Sequence, residues 1–325
     1  MYLNRNNVLS YNASLNFIVL KRGYGKSWGF KDLSISDFIK SGAKTVWLRR
    51  YKPELRKAIT KFLPDIIDNY KDHKLEMKGK ALFVDGKECI SFFTLSEAQD
   101  LKSMSFEGYK YLVFDEFIVE GGAKRYLPDE CDVFCSLLST VFRDRPIKAF
   151  LLGNKVKAVT PYNIYFNLPN FDGVKYIADR KTLVYARDND GVIEENYIKS
   201  DLNKVLTGTK YYDYNMLNET LNDNSAFVEK RPKDLKTNLV LNISGVDVGL
   251  FFDTNSSKIY FDTKCDKTIR AKYSLNKDNM AESYMLLSKQ FPMAKLIKNA
   301  YVNGRVFFND IRTKTVVQEL LDFIV

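Results

Sequence analysis

Histidine is nearly absent from this sequence. His73 is the one histidine among 325 residues, and it lies in the polar stretch NYKDHKLE. This scarcity argues against Ser-His-Asp or Cys-His catalysis and against metal sites built from several histidines. Any catalysis here has to use carboxylates, lysines, arginines and a bound metal ion.

Cysteine is also scarce, and long apolar runs are missing. The four cysteines are Cys89, Cys131, Cys135 and Cys265, with no C-x-x-C pair among them. A disulfide framework is not expected at this length and density, which favours a reducing compartment. The start, MYLNRNNVLSYNAS, lacks the apolar core of a signal peptide, and no apolar run reaches ~18 residues. We therefore expect an intracellular protein in solution, with no membrane partner.

The composition is basic and rich in apolar side chains. The chain has 50 Lys and Arg against 40 Asp and Glu, a net charge of +10 and a pI near 9.1. This balance favours a polyanionic partner such as DNA or RNA, although a merely soluble basic protein has the same composition. With 45% hydrophobic and 14% aromatic residues, the 325 residues can fill the cores of about two domains.

The stretch from Leu15 to Ser27, LNFIVLKRGYGKS, has the pattern of a phosphate-binding loop. An apolar run is followed by a turn with two glycines, then by Lys-Ser and a helix-like segment. Backbone N–H groups of such a loop surround phosphate oxygens, the lysine neutralises them and the hydroxyl can hold Mg²⁺. The usual pattern, G-x-x-x-x-G-K-[ST], has glycine where this chain has Leu20. The predicted nucleotide-binding residues of the loop are Arg22, Gly23, Tyr24, Gly25, Lys26 and Ser27.

A second apolar run ends in two adjacent carboxylates. In YKYLVFDEF, the strand predicted from Tyr111 to Phe114 leads directly to Asp115 and Glu116. The aspartate is suited to the Mg²⁺ shell, and the glutamate to polarising an attacking water. A strand that simply ends in an acidic turn stays open as an alternative. Together with the glycine loop, the pair predicts hydrolysis of ATP with Mg²⁺ held through Ser27 and Asp115.

Other polar residues lie at the predicted ends of strands and helices. Asn154 follows the apolar run IKAFLLGN, a position suited to sensing the outer phosphate. Arg143 and Arg145 follow a helix, where they could reach a neighbouring subunit's nucleotide or simply cap the helix. Arg49, Arg50 and Lys52 follow the short strand TVWL at the predicted ligand-binding edge, or at a solvated helix start.

Strand–loop–helix units repeat through residue 155 and predict an α/β fold with a mainly parallel sheet. We expect a P-loop ATPase domain of the ASCE type over residues 1–185, onto whose sheet the segment NIYFNLP packs as a helix. A polar linker with a short helix at 194–206 is expected over residues 186–226.

Residues 227–325 change pattern and predict a smaller α+β domain. Three strands form an antiparallel meander, and helices are expected around 280–291 and 317–324. This order is compatible with a ribonuclease-H-like fold, the fold on which viral terminases keep their nuclease. Asn242 stands where such nucleases carry their leading aspartate. A carboxylate cluster can be drawn only from Asp247, Asp253, Asp262 and Asp310, and scattered turn residues are favoured instead.

Five segments together resemble the DNA-packaging ATPases of small phi29-type tailed phages, over nearly the whole chain. They are LNFIVLKRGYGKS, WLRRYKPEL, YLVFDEF, TVFRDRPIKAFLLGN and FVEKRPKD. The resemblance implies a homopentameric ring that uses ATP to drive double-stranded DNA through the portal of a procapsid. It further implies a packaging RNA as a partner and a place in the host cytoplasm and at the portal vertex, outside the mature virion.

The resemblance also implies roles for single residues. Glu116 corresponds to the catalytic base, Arg143 to a finger acting on the neighbouring subunit and Lys102 to a second interface cation. Lys52 corresponds to a pore residue that touches the DNA backbone, and the C-terminal domain to a ribonuclease-H-like fold without nuclease activity. Two other hypotheses stay open: a terminase-type metal-dependent nuclease coupled to an ATPase, and a nucleotide switch that does not hydrolyse.

Overall fold

The computed structural model describes residues 3–120, 124–157, 159–171, 174–177, 181–186, 226–277 and 280–325. The chain forms two compact units. The first comprises Met1–Ala158 and Pro169–Asn222, and the second comprises Val159–Leu168 and Asp223–Val325. The linker predicted at 186–226, with its helix at 194–206, falls almost wholly outside the described residues, and its boundaries stay a prediction.

The first unit is a large sheet with helices between its strands. Its helices are α1 (Arg5–Ser10), α2 (Lys26–Ser41), α3 (Lys52–Phe62) and α4 (Glu130–Phe142), with short 3₁₀ turns at Ile67–Tyr70, Leu95–Glu97 and Asp100–Ser103. Its strands are β1 (Leu15–Leu20), β2 (Lys44–Arg49), β3 (Leu75–Lys78), β4 (Ala81–Val84), β5 (Lys87–Thr94), β6 (Tyr109–Asp115), β7 (Ala149–Asn154), β8 (Val174–Ile177) and β9 (Thr182–Tyr185).

The strand order of the first sheet is β3-β4-β5-β2-β6-β7-β1-β9-β8. The strands from β5 to β9 in this order are parallel, and β3, β4 and β8 pair antiparallel at the two sides. One strand, β7, separates the loop-bearing β1 from β6, which ends in the carboxylates. That separation defines the ASCE arrangement, so the predicted fold class is confirmed.

Burial explains why the central strands read as continuous apolar runs. β1, β6 and β7 are covered on both faces, so nearly every side chain in them is buried. α2 covers one face, where the ring of Phe30 packs 4.6 Å from the ring of Phe150. Because parallel strands end together, the carboxyl ends of β1, β7, β6 and β2 form one continuous edge.

The second unit has its own sheet and core. Its strands are β10 (Leu239–Ile243), β11 (Val246–Asp253), β12 (Lys258–Asp262), β13 (Lys272–Ser274), β14 (Met285–Leu286) and β15 (Val306–Phe308); its helices are α5 (Pro161–Tyr165), α6 (Pro292–Val302) and α7 (Ile311–Ile324). The strand order is β14-β13-β10-β11-β12-β15. The antiparallel meander β10–β12, with β13 and β14 parallel on the far side of β10, is the ribonuclease-H-like arrangement with β15 added.

Two predicted elements of this unit are corrected. No helix runs over the described part of 280–291; α6 begins at Pro292, because proline biases the residue before it away from helical geometry. Met285 and Leu286 pair with β13 instead. The short helix α5 was expected to pack on the large sheet. It belongs to the second unit, where Ile164 packs against the core formed with α7.

Candidate active site

The loop between β1 and α2 turns at two glycines. Gly23 has φ 80 and Gly25 has φ 70, a left-handed conformation that glycine adopts without strain, and α2 begins at the next residue. Leu20 is the last residue of β1; its side chain is buried, and its carbonyl accepts a hydrogen bond from Lys155 N at 3.1 Å. The departure from the usual motif therefore lies in the strand, and the glycines that shape the loop are present.

Lys26 is buried beneath this loop. Its Nζ donates to the carbonyls of Leu20 at 3.0 Å and Lys21 at 2.7 Å, and to Asn154 Oδ1 at 2.8 Å. Burial lowers the pKa of Lys26 to about 8, although the nearby carboxylates of Asp115 and Glu120 oppose this shift. The ammonium holds the two ends of the loop together and lies where it can neutralise phosphate.

A hydrogen bond joins the loop to the carboxylate strand. Ser27 Oγ donates to Asp115 Oδ1 at 2.8 Å, and the other carboxylate oxygen of Asp115 accepts from Arg49 Nη2, also at 2.8 Å. Arg49 ends β2, the neighbour of β6 in the sheet, which is why its guanidinium reaches this carboxylate. A hydroxyl and a carboxylate this close are oxygen ligands of the kind that Mg²⁺ prefers, so the pair fits that ion.

Glu116 has a left-handed backbone conformation and is the second carboxylate that Arg49 contacts. Its φ of 59 lies in the left-handed region, which costs a non-glycine residue roughly 1–3 kcal/mol. Its carboxylate accepts from Arg49 Nη1 at 2.6 Å. Burial acts to raise the pKa of Glu116, but the charge and hydrogen bond of Arg49 outweigh it, so the pKa lies below its usual value. The carboxylate is thus ionised and held beside Asp115.

Arg50 fixes the backbone just beyond Glu116. It donates to both carboxylate oxygens of Glu130, at 2.6 and 2.9 Å, and to the carbonyls of Glu116 and Phe117 at 3.3 and 2.5 Å. The guanidinium also lies 5.0 Å from the ring of Tyr126. One buried arginine therefore connects the end of β6 to the first residue of α4.

Glu120 completes the far side of the loop. Its carboxylate forms an ion pair with Arg22 and accepts a hydrogen bond from the amide of Asn154. Asn154 ends β7 directly opposite Leu20 in the register of the sheet, so its side chain lies between Glu120 and Lys26. Arg22, Lys26 and Asn154, all predicted to bind nucleotide, are brought together here.

Known proteins match this chain over almost its whole length. The sequence family described as "Podovirus DNA encapsidation protein (Gp16)" matches residues 1–324. The DNA packaging protein of Bacillus phage phi29 is 32% identical over 324 residues, which cover 98% of this chain and 97% of that protein. The DNA packaging protein of Bacillus phage B103 is 32% identical over 317 residues, covering 96% and 98%.

Solved structures match the whole chain in one case and its larger part in another. The phi29 genome packaging motor assembly matches with a TM-score of 0.74 and 31% identity, covering 100% of this chain and 99% of that one. The crystal structure of the N-terminal domain of the phi29 DNA packaging ATPase matches with a TM-score of 0.54 and 36% identity, covering 57% of this chain and 96% of that one.

The chain belongs to the podovirus DNA encapsidation family. In this encapsidation protein, Arg143 lies away from its own loop. α4 runs back from the carboxyl edge, and just after it Arg145 donates to the carbonyl of Tyr109, the first residue of β6, at 2.9 Å. Arg143 is therefore at the opposite edge of the sheet and is exposed. Arg145 is tied to carbonyls of its own chain, including those of Val141 and Phe142, and does not fit the role of a finger.

The basic cluster after β2 divides into two kinds of residue. The contact of Arg49 and Arg50 with DNA stays a prediction; in the structure both guanidiniums face carboxylates of the active site, and Arg50 is only 2% exposed. Lys52 is different, since its side chain is 59% exposed and pairs with Glu97 at 2.9 Å. Lys102 is exposed in the turn Asp100–Ser103, and its predicted interface role stays a prediction.

The carboxylates of the second unit are engaged separately. Asp247 accepts from Asn242 at 2.8 Å and pairs with Lys267 at 3.0 Å, and the buried Asp262 pairs with Arg231 at 3.0 Å. Asp310 caps α7 and Asp253 holds a turn. In the described part of the chain, no group of three or more metal-ligating side chains is placed to hold an ion. The described helices include none long and apolar enough to cross a bilayer.

The sequence did not predict the observed roles of three residues of the site, Glu120, Arg49 and Glu130. Glu120 lies four residues after Glu116 in the same acidic segment, a weak signal that the adjacent Asp-Glu pair overshadows. Arg49 and Glu130 could not be paired with their partners from local pattern, because those contacts depend on β2 lying beside β6.

Proposed function

We propose that this protein is the ATP-hydrolysing subunit of a motor that moves double-stranded viral DNA into a procapsid through its portal. The observation that carries the proposal is the hydrogen bond from Ser27 of the phosphate loop to Asp115, with Glu116 next to it. The full-length match to the phi29 DNA packaging protein supports the same function.

The chemistry assigned to the site is attack of water on the γ-phosphate of ATP. Lys26 neutralises phosphate oxygens, and the loop amides bind them. The carboxylate of Glu116 takes up the proton of the attacking water as the bond to phosphorus forms and ADP leaves. Asn154 contacts the outer phosphate and orients it.

Magnesium is assigned to the oxygens of Ser27 and Asp115. When bound there, the ion would neutralise charge on the phosphates. Arg49, which already contacts Asp115 and Glu116, holds both carboxylates in place and lowers the pKa of Glu116.

Arg143 is proposed to act on the nucleotide of an adjacent copy. It lies at the sheet edge opposite its own loop and is exposed, so it cannot serve the site of its own chain in this conformation. This arrangement requires a ring or stack of subunits, and we propose a homopentamer. Lys102 is proposed as a second cation at the same interface.

The DNA contact is assigned to the start of α3. Lys52 is exposed there, and the further exposed charges of this helix, Arg56, Lys57 and Lys61, are all cationic. Such a surface binds phosphates without reading sequence, with an affinity that falls as salt rises. We further propose that the motor works at the portal vertex in the host cytoplasm, uses a packaging RNA and is absent from the mature virion.

The test is DNA-stimulated ATPase activity of the purified full-length chain, measured beside its oligomeric state. We expect turnover in the wild type and its loss in Glu116→Gln, which keeps the shape and removes the charge. Retained turnover in that variant would refute the role of Glu116. Absence of turnover in the wild type, with nucleotide still bound, would favour a nucleotide switch.

The interface role is tested by mixing two inactive variants. Arg143→Ala subunits keep a complete loop and Glu116, and Glu116→Ala subunits keep the arginine. Mixed rings therefore contain some complete interfaces, and activity should return on mixing and be greatest near equal amounts of the two variants. An Arg270→Ala variant, changed at an exposed arginine of the second unit, is the control. No recovery at any ratio would count against action between subunits.

A further inference from the structure

Glu120 occupies a position surrounded by groups that bind phosphate. Its side chain is 22% exposed, forms an ion pair with Arg22 and accepts from the amide of Asn154. Arg22 belongs to the phosphate loop, and Asn154 ends the strand beside it. Neither contact is explained by the hydrolytic roles assigned to Asp115 and Glu116.

Lys26 belongs to the same group of contacts. Its ammonium donates to Asn154 Oδ1 at 2.8 Å, and the negative charge of Glu120 acts against the lowering of its pKa by burial. A guanidinium and an amide N–H thus contact one carboxylate, and an ammonium contacts the oxygen of the same amide. This is the donor set that recognises the oxygens of a phosphate group.

The backbone carries Glu120 into this position. After Glu116, the chain crosses β7, with Phe117 N donating to the carbonyl of Leu152 at 3.1 Å. A displacement of Glu120 would therefore act on the short stretch that leads back to the catalytic carboxylate.

We propose that Glu120 competes with the outer phosphate of the nucleotide for Arg22 and Asn154. The γ-phosphate of ATP displaces the carboxylate of Glu120 from these two residues. This inference rests on the proposed function of the site. Without nucleotide, Glu120 balances the charge of the loop and holds it closed. With ATP bound, the carboxylate of Glu120 no longer pairs with Arg22 and Asn154. ADP lacks the group that competes, so it displaces Glu120 less.

The test compares Glu120→Gln with its parent in a Glu116→Gln background, where the probe is not consumed. The probes are methylanthraniloyl ATP and ADP, titrated by fluorescence against the full-length chain. Because the glutamine is isosteric and uncharged, we expect affinity for the ATP probe to rise about tenfold, which is ~1.4 kcal/mol. Affinity for the ADP probe should rise by less than about threefold.

The controls separate competition from simple support of the loop. Glu107→Gln, at an exposed glutamate before β6, should leave both affinities unchanged. If Glu120 merely positions Arg22 and Asn154, its substitution will weaken ATP binding, and that outcome overturns the inference. An unchanged affinity, or an equal gain for both probes, also overturns it.

Failure of the proposed function would look different. If the parent binds neither probe, the nucleotide site itself is refuted, and the inference with it. Urea unfolding establishes that Glu120→Gln is folded. Should it unfold, Glu120→Asp, which keeps the charge but shortens its reach, provides the same comparison with a smaller expected gain for ATP.

Discussion

The guanidinium of Arg50 forms a two-point ion pair with the carboxylate of Glu130, at 2.6 and 2.9 Å, and both side chains are almost fully buried. The same guanidinium holds the carbonyls of Glu116 and Phe117. The pair therefore keeps the strained residue Glu116 where β6 ends. Arg50 directly follows β2 and reaches the first residue of α4, so it is a structural residue of the active site.

Removal of Arg50 alone should strongly destabilise the first unit. Arg50→Ala leaves the carboxylate of Glu130 buried without a counter-charge, and we expect a loss of about 3–5 kcal/mol in the free energy of unfolding. Arg50→Lys should recover little, because an ammonium cannot make the two-point contact. Urea unfolding followed by tryptophan fluorescence reports on this unit, since Trp28 and Trp47 both lie in it.

The matched control is Arg270→Ala, at an exposed arginine, which should change stability by less than about 0.5 kcal/mol. The double variant Arg50→Met with Glu130→Leu should regain most of the loss, because it removes both charges together. A double variant no more stable than Arg50→Ala would show that the pairing with carbonyls matters more than the buried charge.

Nucleotide binding should take up a proton at alkaline pH. Burial lowers the pKa of Lys26 to about 8, and phosphate oxygens would raise it again by stabilising the ammonium. Uptake should therefore be near zero at pH about 7 and substantial at pH about 9, measured by calorimetry in buffers of different ionisation enthalpy. Lys26→Arg, which stays charged throughout, should show no uptake from this position.

The same shift sets the sign of a stability effect. The folded chain binds fewer protons at Lys26 than the unfolded chain between pH about 8 and 10.5, so stability should rise with pH across that window. Lys26→Met should remove this rise. A rise of equal size in the variant would assign it to another group.

Arg49 should set the acid limb of the hydrolysis rate. Burial acts to raise the pKa of Glu116, and the charge of Arg49 overcomes it. In Arg49→Met the burial remains and the charge is lost, so the pKa should rise and activity should fall at a higher pH as the solution is acidified. The pH profile of kcat/KM measures this shift. Arg270→Ala should leave the limb in place, and an unmoved limb in Arg49→Met would exclude Glu116 as its origin.

Gly153 should not tolerate a side chain. A Cβ at this position would lie 2.7 Å from Ile118 Cγ1 and 2.8 Å from Phe117 Cε1, so the segment after Glu116 would have to shift. We expect Gly153→Ala to cost about 1–3 kcal/mol in urea unfolding and to reduce turnover of the folded fraction.

Gly29→Ala is the matched control, because nothing lies within 4 Å of the Cβ that the alanine would add. In the interior of α2 it should stabilise by up to about 1 kcal/mol. Equal effects of the two substitutions would show that the contact with Phe117 and Ile118 relaxes freely.

The first sheet follows closely from sequence because its local signals agree with one another. Apolar runs end at glycines, at carboxylates or at a proline that begins a helix, and each of these residues has a conformational reason for its position. The helix predicted over 280–291 was wrong because the local signals there disagree with one another. Its helical spacing of apolar residues was accidental, and Pro292 moved the true helix start beyond it.

The contacts within the site were less accessible to prediction. Asp115 and Glu116 could be identified because they end an apolar strand, but their partner Arg49 comes from another strand more than sixty residues earlier. Which arginine meets which carboxylate depends on strand order. The basic cluster after β2 was therefore predicted to bind nucleic acid, although its two arginines form ion pairs with carboxylates of the protein itself.

α4 has a left-handed residue at each end, Asp129 with φ 48 and Arg143 with φ 51. Its 13 residues form a stiff rod of about 20 Å between these bends. Glu130 at one end of this helix is joined through Arg50 to the backbone of Glu116, and Arg143 follows the other end, so the helix sets the separation between the two residues. Asp129→Gly, which adopts this backbone conformation without strain but frees it in other directions, should therefore loosen the connection between Glu116 and Arg143.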